Sequence, residues 1–297
     1  MKALLALFVA MFVAASASAQ SVKIVVPFAP GGSGDKLGRF LQKELKETKN
    51  INAVVENRPG ANTEIGTSFV AKTKTNEVVL LVAINTMAAF ASGRDFDITR
   101  DLTPVVYLGA QPLMLAAHPS MNVNNLNDLR KYSKKFNFAA STKGTPVYSN
   151  TEELVSKLNL DAAIVGHKGM GEYLIQVLGN HVQIGFFAPS IIESHVAAGS
   201  LTTVAVTGKS RLPTWKNVAT IEEQGLKNFG TDLWFVLMVN STADKKVVDE
   251  IRDTLTTLLN KQSTADEFRK IDIYPDPRLT GQGANLLAQE IQKFNKK

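Results

Sequence analysis

The sequence predicts an α/β protein of two similar units with a cleft between them, and three observations carry that reading. Short apolar runs alternate with amphipathic helical stripes, and the alternation occurs twice along the chain. Between the two stretches runs Val105 to Ala117, mostly apolar and broken by Gly109 and Pro112, which suits a strand passing from one unit to the other. Alternating strand and helix signals are the pattern of parallel sheets with crossover helices, and such sheets collect their loops and helix N-termini at one edge.

In the first unit, Val22 to Phe28 reads as a buried strand. Leu37, Phe40, Leu41 and Leu45 then recur at i, i+3, i+4 and i+8, a helical stripe. Ala53-Val54-Val55 is a second strand, Ile65 to Ala71 a short helix, and Val78 to Ile84 an apolar run long enough for a strand buried on both faces. The middle of the chain repeats the pattern. Phe136 to Ala140, Ala162 to His167 and Val182 to Phe187 read as strands, with helices at Tyr148 to Leu158 and Met170 to Leu178. Leu201 to Val206 and Leu233 to Val239 are candidates for the return, and the tail carries two helical stripes, Val247-Ile251-Leu255-Leu258 and Leu287-Ile291-Phe294. The boundaries this implies are residues 20–115 plus 201–297 for the first lobe and 116–200 for the second.

The chain of 297 residues is 44% apolar, enough to bury one large core or two smaller ones, which excludes disorder and a disulfide mini-scaffold. With no cysteine there is no disulfide, thiolate zinc site, iron–sulfur cluster or Cys nucleophile. Lys2, the apolar run Leu4 to Ala15 and the small residues of Ser16-Ala17-Ser18-Ala19 form the three regions of a secretory signal peptide over residues 1–19, cleaved before Gln20. The run is too short to cross a hydrocarbon core of ~30 Å, so the expectation is an exported periplasmic protein. The net charge of +6 comes from lysines scattered among acids, as in Lys43-Glu44-Leu45-Lys46-Glu47, and no basic stripe is interleaved with aromatics. Nucleic acid is therefore not expected as a partner.

The most informative loop is Phe28-Ala29-Pro30-Gly31-Gly32-Ser33-Gly34-Asp35, between the first strand and the first helix. Glycines there let a ligand approach the backbone, and a helix N-terminus offers free N–H groups and a positive dipole, so the loop suits an anion. Its glycine spacing matches neither a P-loop nor a dinucleotide fingerprint, and Asp35 stands where a nucleophile elbow around Ser33 needs glycine. A tight turn in which Asp35 or Ser33 caps the helix fits the pattern equally well. Ser141-Thr142-Lys143-Gly144-Thr145-Pro146 occupies the equivalent place in the second unit, where hydroxyls and N–H groups suit a carboxylate and also suit plain capping.

Catalysis finds little support. His118, His167, His181 and His195 show no metal-ligand spacing, no metal or cofactor is called for, and nothing local favours a Ser-His-Asp triad. His167-Lys168-Gly169 ends a strand and suits a positive charge at a cleft edge, or a solvated lysine beside a turn glycine.

At these residues the chain resembles the Bug/TctC extracytoplasmic solute-binding receptors of tripartite tricarboxylate transporters. The matching blocks are Val26-Pro27-Phe28-Ala29-Pro30-Gly31-Gly32-Ser33 with Asp35, Val55-Glu56-Asn57-Arg58-Pro59-Gly60-Ala61 with Ile65-Gly66, and Asp101-Leu102-Thr103-Pro104-Val105. Ala198-Gly199 with Leu201, Ala205-Val206-Thr207, Arg211, and Glu223 with Gly225-Leu226 continue the match over most of the chain. The resemblance implies a two-lobed, type II-like periplasmic binding protein, monomeric and not an enzyme, that closes on a small organic carboxylate and delivers it to membrane permease subunits. It assigns ligand contacts to Ala29, Pro30, Gly31, Gly32, Ser33 and Asp35 in one lobe, and to Ser141, Thr142, Gly144 and Thr145 in the other. Asn57, Arg58, Pro59 and Gly60 match a motif that orders the lobe.

The departures lie in the second lobe. Tyr148 stands where the family often has His, His167-Lys168-Gly169 where it has Tyr-Lys-Gly, and Phe187 where it commonly has Asp, so these positions join the expected ligand set. Without that acid, an amino-acid ligand lacks a partner for its ammonium, and a carboxylate with an apolar body becomes as plausible as citrate. The competing functions are a receptor that signals to a sensor protein and an exported hydrolase using Ser33.

Overall fold

The computed structural model describes residues 22–90, 94–167, 169–230 and 232–295; the expected signal peptide and Lys168 lie outside these residues. Strand β1 (Val22–Val26) stops before Pro27, which has no N–H to extend a ladder. Helix α1 (Ser33–Lys49) buries Leu37, Leu41 and Leu45 completely, so the stripe at helical spacing is its core face. Strand β2 (Ala53–Asn57), helix α2 (Glu64–Ala71) and the wholly buried strand β3 (Val79–Ile84) complete a βαβαβ unit, with β1 parallel to both neighbours. The short helix α3 (Ile98–Asp101), capped by the Asp97 carboxylate, leads into β4 (Leu102–Gln111).

Past Pro112 the chain enters a second sheet with β5 (Met114–Ala117). There follow α4 (Leu126–Arg130), β6 (Phe136–Ser141), α5 (Pro146–Leu158), β7 (Ala162–His167), α6 (Met170–Leu178), β8 (Ile184–Phe187), α7 (Pro189–Ala197) and β9 (Thr202–Val206). The return is β10 (Leu233–Asn240), and the chain closes with α8 (Lys245–Leu259), α9 (Gln262–Arg269) and α10 (Gly283–Asn295).

The sheet orders are β2-β1-β3-β10-β4 and β7-β6-β8-β5-β9. Each sheet has three parallel strands followed by an antiparallel pair: β10 runs against β3 and β4, and β5 against β8 and β9. Two crossings join the sheets, one at Pro112-Leu113 and one between Val206 and Leu233. This is the two-lobed α/β architecture that the alternating pattern implies.

One expectation is corrected. Leu201 to Val206 does not return to the first sheet, because β9 pairs with β5 along the edge of the second. Residues 201–206 therefore belong with the second unit, as do Met114 and Leu115 of β5. An apolar run marks a buried strand but carries no information about which sheet it joins.

The alternation of side chains along each strand divides the cores. Val22, Ile24 and Val26 pack with α1 and α8 on one face of the first sheet, while Val25 packs with Val70, Leu81 and Trp234 on the other. In the second sheet the consecutive residues Phe186 and Phe187 point to opposite faces. Phe186 joins Phe138 and Leu154, and Phe187 joins Tyr173, Met114 and Ile192.

Candidate functional site

The carboxyl ends of the parallel strands are where open α/β sheets present loops to ligands. After β1, Ala29, Pro30, Gly31 and Gly32 are exposed. Gly31 has φ of +90°, a left-handed conformation that glycine adopts freely, and its N–H donates to Asp35 Oδ2 at 2.9 Å. A Cβ at Gly31 would meet no atom within 4 Å, and one at Gly32 only Ala29 O at 3.9 Å, so the loop's surface is open. Gly32 is the N-cap of α1 and supplies no side-chain hydrogen bond. The first-turn N–H groups and the positive end of a 17-residue helix thus lie behind an exposed glycine loop.

Asp35 holds this loop from inside. Its carboxylate is 3% exposed, taking Gly31 N–H and Arg39 Nε (3.0 Å) on Oδ2 and Asn57 Nδ2 (2.9 Å) on Oδ1. Burial pushes the carboxyl up, but the hydrogen bonds from Gly31, Arg39 and Asn57 outweigh it and hold Asp35 below its ordinary value. Asn57 Nδ2 also donates to Phe28 O at 3.1 Å. Asp35, expected among the ligand contacts, is thus a buried, ionised carboxylate with three donors that braces the loop from inside.

Ser33 Oγ accepts from Gln111 Nε2 at 2.9 Å, and the same amide reaches Ile271 O at 3.3 Å. An amide cannot accept a proton from a serine hydroxyl, so this pairing gives Ser33 no general base. Gln111 is a residue that sequence reasoning missed. Its only local signal is its place as the last residue of β4 before the crossing.

In the second lobe Ser141 and Gly144 are half-buried, Thr142 is exposed, and Gly144 has φ of +89°. Thr145 is 5% exposed and caps α5, its Oγ1 accepting Tyr148 N–H at 3.2 Å. Its hydroxyl therefore serves the helix, and Tyr148 stands half-buried in the first turn. Thr142 Oγ1 donates to His167 O at 3.3 Å, which ties this loop to the end of β7.

His167 is 9% exposed, with Nδ1 2.9 Å from Val165 O and its ring 5.8 Å from that of Tyr173. Tyr173 is fully buried, donates its hydroxyl to Phe186 O and is also hydrogen-bonded by Ser141; burial pushes its phenol far up, so it stays neutral. Phe187 packs against Tyr173 with ring centroids 4.9 Å apart and the planes tilted by 50°, and it has no exposed surface. Phe187, expected in the ligand set, packs in the core, because it follows Phe186 on the strand and must take the opposite face. Gly169 is the N-cap of α6, without a side-chain cap, and Cβ atoms at Gly169 and Gly171 would meet nothing within 4 Å.

Each lobe therefore presents one helix whose N-terminus begins at an uncapped glycine in open space, α1 and α6, and free N–H groups at the positive end of a helix dipole suit an anion. Among the described residues no group of three or more His, Asp or Glu is arranged to hold a metal ion, and no helix is long and apolar enough to cross a membrane.

The crossings are tied to each other. Leu113 N–H donates to Thr207 Oγ1 at 2.8 Å, and that hydroxyl donates to Asp232 Oδ1 at 2.5 Å. Asn85, at the end of β3, donates Nδ2 to Asp232 O at 3.0 Å. Burial pushes the Asp232 carboxyl up, and the Thr207 hydrogen bond opposes this.

Sheet order and loop geometry define a two-lobed α/β protein with the fold of periplasmic binding proteins. The family model for the tripartite tricarboxylate transporter family receptor matches residues 37–296, and the chain belongs to that family. The matched stretch begins just after the first glycine loop. The chain is 26% identical over 286 residues to protein BugT of Bordetella pertussis, covering 93% of this chain and 87% of that one. Among solved structures it is similar to R. palustris Rpa4515 with adipate (TM-score 0.82, 24% identity, 93% of this chain and 95% of that chain). It is likewise similar to MatC from Rhodopseudomonas palustris with bound malate (TM-score 0.77, 21% identity, 93% and 98%).

Proposed function

We propose that this chain is a periplasmic receptor that captures a small organic carboxylate between its lobes and delivers it to the membrane permease of a tripartite transporter. It acts as a monomer, without catalysing a reaction, after a signal peptide is removed at Ala19. The observation that carries this reading is the pair of open, glycine-started helix N-termini, one per lobe, at α1 and α6. Membership of the receptor family and relatives of the same fold that hold adipate and malate support it.

In this reading Ala29, Gly32 and Ser33 offer main-chain and hydroxyl donors from the first lobe, while Pro30, which has no N–H, and Gly31, whose N–H is held by Asp35, shape the loop against the solute. Ser141, Thr142, Gly144, Tyr148, Lys168 and Gly169 offer theirs from the second. An ionised carboxylate between two N-termini takes charge-assisted hydrogen bonds from both sides. Solute that contacts both lobes binds the closed arrangement better than the open one, and this differential affinity shifts the population toward closure. The permease then recognises the closed shape.

The test is native mass spectrometry of the chain isolated from the cell envelope without detergent. The expected result is a chain beginning at Gln20 with a small carboxylate bound. A bound sugar, or protein recovered only with detergent and still carrying Met1 to Ala19, contradicts the proposal.

A further inference from the structure

Helix α9 ends at Arg269, and the chain turns out of it through Asp272, whose φ of +60° is left-handed. The turn is closed by Asp272 N–H to Arg269 O (3.1 Å) and Ile273 N–H to Phe268 O (3.0 Å). Glycine, or failing that asparagine, is the residue such helix-ending turns ordinarily use. An aspartate there accepts backbone strain, which calls for a compensating role of its side chain.

The side chain has one. Asp272 Oδ2 accepts Ser190 N–H at 2.7 Å, in the first turn of α7. That helix belongs to the other lobe, where Ile192 packs with Phe187, Tyr173 and Met114. Its N-cap is Ala188, which has no side-chain acceptor, and Pro189 follows at the first helical position. The cap that α7 lacks in its own sequence is supplied across the lobes. Asp272 is 7% exposed; burial pushes its carboxyl up, Ser190 draws it down, Glu193 repels it and Lys36 attracts it.

The neighbouring residues extend the contact in both directions. Tyr274 exchanges backbone hydrogen bonds with Ala110 at 2.7 and 3.0 Å, while its side chain packs on the second lobe's cluster. Ile271 O receives the Gln111 amide that also holds Ser33. A continuous chain of contacts thus runs from Ser33 in the first glycine loop, through Gln111 and Ile271, to Asp272 and the helix of the opposite lobe.

We infer that Asp272 is an interlobe clasp: by capping α7 from the opposite lobe, it is a positioning residue that fixes the two lobes, and with them the first glycine loop, in the arrangement seen here. The clasp depends on the two-lobed fold and not on the class of solute, so its test needs no ligand. The chain has no cysteine, and Val54 and Ile175 are 58% and 67% exposed, one in each lobe. Val54→Cys and Ile175→Cys therefore accept a pair of spin labels whose separation reports lobe arrangement.

Asp272→Gly removes the acceptor while easing the left-handed backbone, so it preserves the turn after α9. Asp272→Asn keeps an acceptor oxygen and also tolerates that conformation. A hydrogen bond to a charged group is worth roughly ten- to hundredfold in an equilibrium constant. The narrow distance peak of the parent is expected to lose most of its amplitude to longer, broader distances in Asp272→Gly, and to be largely retained in Asp272→Asn. A residue of purely structural importance would lower the melting temperature and leave the distances alone. An Asp272→Gly distance distribution that superimposes on the parent's, whatever the melting temperature, overturns the inference.

Discussion

Asn57 at the end of β2 and Asp35 in the first turn of α1 are joined by a hydrogen bond of 2.9 Å, and Asn57 also holds Phe28 O at 3.1 Å. One amide thus fixes both ends of the first glycine loop. Asn57→Ala removes both bonds and leaves a buried carboxylate short of a donor, which costs about 1–3 kcal/mol. At roughly 2–4 °C per kcal/mol for a chain of this size, thermal unfolding is expected several degrees lower. Solute affinity, measured by calorimetry, is expected to fall as well, since the loop that presents the donors is no longer held. A variant that loses stability but keeps its affinity would detach the loop's order from binding.

Gly32→Val separates binding from folding. Gly32 has φ of −76° and ψ of 174°, which valine adopts without strain, and its Cβ would enter open space. The fold is therefore expected to survive, with a melting temperature within a degree or two of the parent's. Carboxylate binding is expected to be abolished, because the branched side chain stands where solute approaches the α1 N-terminus. Unchanged affinity would move the site away from the first loop.

Asp101 sets an acid limit on stability. It is 5% exposed and accepts from Arg100, from Lys74 Nζ at 2.9 Å and from Asp97 N–H at 2.9 Å. The Arg100 hydrogen bond, then those from Asp97 and Lys74, hold its carboxyl well below the ordinary carboxylate range against the cost of burial. A depressed value means that the stabilisation is complete above the unfolded value near 4 and is lost as pH falls through the folded value. Melting temperature should therefore decline below about pH 4 more steeply for the parent than for Asp101→Asn, which has no such proton to take up. Parallel pH profiles would remove Asp101 from the acid response.

Much of this architecture was legible from spacing alone. The stripe at Leu37, Leu41 and Leu45, the apolar run of β3 and the break at Pro112 each map onto a helix face, a buried strand and a crossing. The two glycine-bearing loops were legible as well, since both follow a strand and precede a helix. Side-chain direction was not. Asp35 and Phe187 stand at positions the resemblance assigns to solute, yet one braces the loop from inside and the other fills the core. Gln111, Asp232 and Asp272 carry no local motif; they matter through partners 78, 25 and 82 residues away in sequence. Nor does the apolar run of β9 state which sheet edge it completes.

Thermal unfolding of the chain from Gln20 onward tests whether an ionised carboxylate is the solute. The panel pairs mono-, di- and tricarboxylates, adipate and malate among them, with their neutral amide or ester analogues. A ligand bound only by the folded state at 100 times its dissociation constant adds ~2.7 kcal/mol. That corresponds to a rise of roughly 5–10 °C for a chain of this size. Hydrogen bonds from main-chain N–H groups and hydroxyls to an ionised group are roughly twice as strong as those to a neutral one, so the analogues lose most of the effect. A shift of this size is expected for at least one carboxylate and none for its neutral partner. No shift across the carboxylates, together with a clear shift from a sugar or a cation, would contradict it.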